Sequence, residues 1–175
     1  MLKTFMTGWY VLYVRSCQER KVNALLQENN FETFLPMIKK VRKWSDRKKI
    51  IEAPLFPSYV FVKLQARHDF NRALSIKGAC TYIRFGSEYA RATNEEILRI
   101  KMLCGLTDVS EIKVTSAPIQ IGEYKTIKFG PLEGLKCKII RVDDNHKLRI
   151  RIESLRQNIT ATVPERCFYE LGEIA

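Results

Sequence analysis

Residues 39 to 49 read KKVRKWSDRKK, seven basic residues and one acid around a single tryptophan. Folded as a hairpin with WSDR at its turn, this stretch would offer phosphates a positive ribbon and bases one ring to stack on. Lys43, Trp44 and Arg47 lie nearest the tip and are its nucleic-acid candidates. The bland alternative is equally open, because lysines also guard exposed strand edges. A second stretch, EAPLFPSYVFVKL at 52 to 64, alternates so that Val60, Val62 and Leu64 share one strand face. Tyr59, Phe61 and Lys63 then take the other face, which is apolar enough to dock on something outside the chain's own core or to lie beneath one of its own helices. Catalysis has little to work with. The two histidines, His68 and His146, fall in different expected domains with no nucleophile or glycine-rich phosphate loop beside them, so no catalytic residue, metal or cofactor is assigned. GPLEG at 130 to 134 lacks the lysine and helix of a phosphate cradle and reads as a tight turn. Five scattered cysteines, an odd number with no C-x-x-C, indicate neither a disulfide framework nor a zinc site and fit a reducing cytoplasm.

These residues need elements to hold them. GWYVLYVR at 8 to 15 is rich in β-branched and aromatic residues and predicts a strand. Ser16 with Glu19 predicts a capping box, and Val22, Leu25 and Leu26 a helix closed by Asn29 and Asn30. The basic hairpin and the 59 to 64 strand follow, then a short helix over RHDFNRALSI and a strand over CTYIRFG ended by Gly86. Thr93 and Glu96 form a second capping box, opening a helix that stops at Gly105. Residues 105 to 117 show no convincing period and read as a linker. Beyond it the pattern is purely β, with strands expected at EYKTIKF, KCKIIRV, KLRIRIE, NITATV and CFYEL, enough for a small barrel.

The chain has 175 residues, 46% of them hydrophobic, and a net charge of +11. Such a surplus favours a polyanionic partner, although a merely soluble basic protein has the same composition. Residues 1 to 117 hold 20 Lys and Arg against 11 Asp and Glu, and residues 118 to 175 hold 10 against 8, so the basic character belongs to the first part. The amino terminus lacks a signal-peptide pattern, and no segment approaches the roughly 18 consecutive apolar residues of a membrane span.

GWYVLYV followed by a helix, PLFPSYVFV, and GEYKTIKFGPLEGLKCKII together resemble the NusG family of transcription elongation factors, from about Gly8 to Leu171. The resemblance implies an α+β amino-terminal domain at 1 to 105 (an antiparallel sheet with packed helices), a linker at 106 to 117, and a five-stranded SH3-like KOW barrel at 118 to 175. It implies docking on the clamp helices of the RNA polymerase β′ subunit through Tyr13, Phe56, Tyr59 and Phe61, with Trp9 a further candidate. Burial is the competing expectation for Phe56 and Trp9. Arg15, Arg20 and Lys21 match the region through which specialised members touch non-template DNA; Arg72 and Arg84 are weaker candidates. PLFPSYVFV and YIRFG are more similar to the operon-restricted RfaH-like (UpxY-type) members than to the housekeeping factor. Ser58 stands where that factor generally has glycine, and Cys137 where many KOW modules have one. A monomeric, cytoplasmic antiterminator is expected, with Rho or a small-subunit ribosomal protein as conceivable partners of the KOW module. The rival is a ribosome-associated or RNA-binding KOW protein, governed by the basic hairpin.

Overall fold

A computed structural model describes residues 6–43, 48–105, 110–115, 123–126, 136–142 and 145–163. The chain divides into two compact units, 1–94 and 95–175.

In chain order the first unit contains β1 (Gly8–Val14), α1 (Glu19–Glu28), β2 (Glu32–Phe34), β3 (Met37–Lys43), β4 (Lys48–Pro54), β5 (Tyr59–Leu64), α2 (Arg67–Leu74), β6 (Ala79–Tyr82), β7 (Arg84–Phe85), β8 (Glu88–Tyr89) and β9 (Arg91–Ala92). Its main sheet is antiparallel in the order β2-β5-β1-β6, and β9 pairs with the start of β1. The register sets Val11 opposite Phe61 and Tyr13 opposite Tyr59, while Leu12 faces Val60 and Tyr10 faces Val62. The period of two therefore separates the strands as the sequence indicates. Tyr10, Leu12, Val14, Val60, Val62 and Leu64 enter one core with Val22 and Leu26 of α1 and Ala73 of α2.

Helix α1 ends as expected. Asn30 takes φ 63°, and the Phe31 amide donates to the Leu26 carbonyl at 3.0 Å, turning the chain into β2. Its start differs from the capping box read in the sequence. The helix opens at Glu19 behind Gln18 without a side-chain cap, and Ser16 stays outside in a turn where Cys17 has φ 62°. The Glu19 carboxylate is taken instead by a long-range partner, Ser58. In α2 the reach-back does occur: Asp69 accepts from the Ala66 amide at 2.9 Å and the Gln65 amide at 3.1 Å. The run expected as one strand through CTYIRFG breaks at Ile83. Its amide donates to the Val11 carbonyl, and β7 leaves to pair with β8 across Gly86 at φ 62°.

Helix α3 (Asn94–Cys104) follows directly after Thr93 and buries Ile97, Ile100 and Leu103. The second unit continues with β10 (Ser110–Thr115), β11 (Glu123–Thr126), β12 (Lys136–Val142), β13 (Asn145–Ile152) and β14 (Gln157–Val163), an antiparallel sheet in the order β10-β14-β13-β12-β11. Strand β10 falls within the stretch read as a linker at 106 to 117. SEIKVT alternates Ile112 and Val114 with polar residues, a period too brief to stand out, and its backbone pairs with β14. Ile150, Ile152, Ile159 and Ala161 are buried, as their alternation with polar neighbours requires. GPLEG and CFYEL lie outside the described residues.

Candidate functional site: an aromatic row and a basic rim

The sheet face turned away from the α1 and α2 core carries Trp9, Val11 and Tyr13 from β1, Tyr59, Phe61 and Lys63 from β5, and Phe34 from β2. Its members differ in exposure. Trp9, Val11 and Phe61 are buried, as is Phe56, whose ring meets Phe61 edge-on at 6.0 Å. Phe61 sits mid-sheet between Val11 and Phe34 in register, so neighbours flank it on both strands. The Trp9 indole donates to the Asn94 side-chain oxygen at 3.1 Å, and Lys63 lies over its ring while pairing with Glu32 at 2.8 Å. At the other end of the row the aromatics reach solvent. Tyr13 is 41% exposed, Tyr59 is half-buried, and their rings meet edge-on at 6.2 Å. Partial burial, aided by Tyr13, raises the Tyr59 phenol above its ordinary value, so Tyr59 keeps its hydroxyl proton at physiological pH. Of the four expected docking residues, Tyr13 is exposed and Tyr59 half-buried, while Phe56 and Phe61 are buried.

Tyr59 is aimed by the turn before it. Its amide donates to the Phe56 carbonyl at 3.2 Å, with Pro57 and Ser58 between them and Ser58 at φ 64°, the arrangement of a type II turn. Such a turn favours glycine at the position Ser58 holds. Here two bonds hold the serine: its amide donates to Glu19 Oε1 at 2.8 Å, and its carbonyl accepts from the Val14 amide at 2.8 Å. Glu19 and Ser58 are both buried. The bond from Ser58 to Glu19 replaces the capping role expected of Glu19, and the Pro57-Ser58 step is its one signal in the sequence.

The basic candidates differ in exposure and in what they touch. Arg15 and Lys21 are exposed, and the Arg15 amide bonds the Gly78 carbonyl at 2.9 Å. Arg20 is already engaged, reaching Glu52 on β4 at 3.0 Å. Strands β3 and β4 form the expected hairpin from Met37↔Pro54 to Lys43↔Lys48. Lys39, Lys40, Lys48 and Lys49 are exposed along it, and Val41 faces Ile50 with both exposed. Trp44, Arg47 and the side chain of Lys43 lie outside the described residues. Arg72 is committed to Asp69 at 2.9 Å and to the Asn29 carbonyl, and Arg84 lies over the Tyr89 ring. Among the described residues no group of His, Cys, Asp and Glu is placed to hold a metal ion. Burial pushes the Cys104 thiol up to about 11, which makes it a poor nucleophile at neutral pH.

An antiparallel sheet with two helices on one face and an aromatic row on the other defines an α+β domain. A family model described as transcription termination factor nusG matches residues 7–101, more than half of the chain. The chain belongs to the NusG family, whose members are transcription factors and not enzymes. Among solved structures it is similar to Thermotoga maritima NusG, described for its domain interaction, at 20% identity over 89% of this chain and 93% of that one, with a TM-score of 0.49. It is also similar to the MjSpt4:Spt5 complex in conformation A, at 16% identity over 80% and 83% with a TM-score of 0.31. For conformation B the figures are 17%, 91%, 93% and 0.31.

Proposed function

We propose that this protein is a transcription elongation factor that binds RNA polymerase at the β′ clamp helices and favours processive elongation. The observation that carries the reading is the Tyr13–Tyr59 pair, one ring exposed and the other half-buried on the sheet face opposite the core, within the segment matched to the NusG family. Two adjacent aromatics with polar tips are suited to a helical partner, because they supply large contact area at small entropic cost. The mechanism is one of state preference. A ligand bridging the clamp favours the closed enzyme only as far as it binds the closed form better than the open or paused one. Reduced pausing and termination follow. The similarity of PLFPSYVFV and YIRFG to RfaH-like (UpxY-type) members supports an operon-restricted antiterminator, such as one serving surface-polysaccharide loci. On this reading the binding domain spans 1–105, and β11 to β14 belong to a KOW module over 118–175, free to recruit a second partner, with β10 from the stretch between them paired to β14.

The test is co-purification of core RNA polymerase with wild type and with Tyr13→Ala/Tyr59→Ala, using circular dichroism to check folding. These two are the right targets because Phe61 is fully buried, and its truncation would confuse docking with packing. Loss of capture by at least tenfold with the fold intact is expected; equal capture by the folded variant refutes the docking face. The exposed lysines of β3 and β4 favour a second reading, RNA binding by the hairpin, which predicts steep salt dependence instead.

A further inference from the structure

We infer that Glu19 is a positioning residue for the exposed aromatic pair, fixing Tyr59 against Tyr13 through the backbone of Ser58. Its consequence for polymerase capture rests on the docking reading above; the positioning itself does not.

Three observations converge on Glu19. Its Oε1 accepts from the Ser58 amide at 2.8 Å, with both residues buried. Ser58 stands at φ 64°, a conformation that side-chain-bearing residues adopt reluctantly, so something must hold it there. Ser58 is also joined directly to Tyr59, the first residue of β5, and its carbonyl is tied to Val14, the residue after Tyr13. The turn is therefore pinned from both sides of the aromatic pair: by Val14, which follows one ring, and by Glu19, which reaches across from the first turn of α1.

A purely stabilising role accounts poorly for a carboxylate here. Among the described residues no cation pairs with Glu19, and a buried charge without a counter-ion costs more than a neutral side chain would. Its place in the first helical turn offsets part of that cost. What the carboxylate adds is a charge-assisted bond to one backbone amide, stronger than a neutral acceptor would make, at the residue whose conformation decides where Tyr59 points. The adjacent residue, Arg20, reaches Glu52 of the basic hairpin, so the same turn of α1 also touches β4. That exposed pair contributes little energy and is not needed for the inference.

The experiment uses the full chain and two nuclear magnetic resonance readouts, the cross-relaxation between the Tyr13 and Tyr59 rings and the exchange rate of the Ser58 amide. Polymerase capture is measured in parallel. The proteins are wild type, Glu19→Ala, Glu19→Gln and Glu19→Ala/Ser58→Gly. In Glu19→Ala the Ser58 amide should exchange at least tenfold faster and the ring contact should disappear, while the core stacking of Phe70 on Tyr82, at 4.2 Å, stays intact. Glu19→Gln, which keeps an acceptor oxygen, should retain the ring contact with intermediate exchange. Ser58→Gly should restore the contact in the alanine background, because glycine reaches this φ without being held. The inference is overturned if the Tyr13–Tyr59 contact survives in Glu19→Ala, if the Phe70–Tyr82 contact is lost with it, or if Gln behaves as Ala does. Should Glu19→Ala fail to fold, the Gln and double variants still decide between these outcomes. Loss of the ring contact with polymerase capture unchanged leaves the positioning role standing and removes the docking reading.

Discussion

Ser58 shows how little a substitution's effect can be read from one state alone. Its left-handed backbone costs about 1 kcal/mol relative to an ordinary conformation. Glycine would avoid that cost but loses roughly 0.5–1 kcal/mol through the freedom of its unfolded chain. The two nearly cancel, so Ser58→Gly should move stability by less than about 0.5 kcal/mol. Ser58→Val should destabilise by about 2 kcal/mol, because a β-branched residue resists this φ more strongly; urea denaturation of both variants checks the pair. Asp69 gives a residue-scale prediction in pH. Burial of its carboxyl works to raise its pKa, but the amides of Ala66 and Gln65 and the charges of His68 and Arg72 outweigh burial and hold it below its ordinary 3.8. The folded value is depressed, so the stabilisation is complete above the unfolded value and disappears as pH falls through the folded one. Wild type should lose stability more steeply than Asp69→Asn as pH falls below about 4, as urea midpoints measured down through the acid range would show.

Elements were legible in the sequence where their signal was local. The alternation of Val60, Val62 and Leu64 gave β5 its faces, and Asn29-Asn30 gave α1 its end, because each depends only on neighbours along the chain. The start of α1 was not legible, since Glu19 answers to Ser58, 39 residues away, and no local pattern records that. The partition of the aromatic row was hidden for the same reason: Tyr59 and Phe61 share one strand face, yet only their register with Tyr13, Val11 and Phe34 distinguishes the exposed from the buried ring. Between β6 and α1 the fit is tight enough to predict. A side chain on Gly78, which has φ 99°, would come within 2.7 Å of Gln18 Oε1 and 2.8 Å of Val22 Cγ2. Gly78→Ala should cost about 2 kcal/mol in thermal or urea unfolding, because both the backbone and the neighbours must yield. The hairpin makes its own prediction. If nucleic acid lies along β3 and β4, replacing Lys39, Lys40, Lys48 and Lys49 with Gln should flatten the slope of log affinity against log salt by roughly 3 units, at about 0.7 per single-strand contact. An unchanged slope in fluorescence anisotropy titrations would leave these lysines as guards of an exposed edge.

At the scale of the whole molecule, the charge of +11 acts before any contact forms, drawing the chain toward polyanions at low salt and repelling other copies of itself. No described helix is long and apolar enough to cross a membrane. Equilibrium sedimentation should return one species at 20.4 kDa, and a larger mass would require a self-association surface beyond those described here. The main sheet of the first unit carries a consequence for how the chain is made. Strand β1 leaves the ribosome before its partners β5, β6 and β9, which are residues 59–64, 79–82 and 91–92. At roughly 5–20 residues per second, GWYVLYV waits on the order of 3–10 s for β5, its first partner, and about 5–15 s for β9, its last. The central strand of this sheet is made before all of its partners, and its pairing is completed only once Ala92 has emerged, so closure of the sheet in the cell is paced by translation.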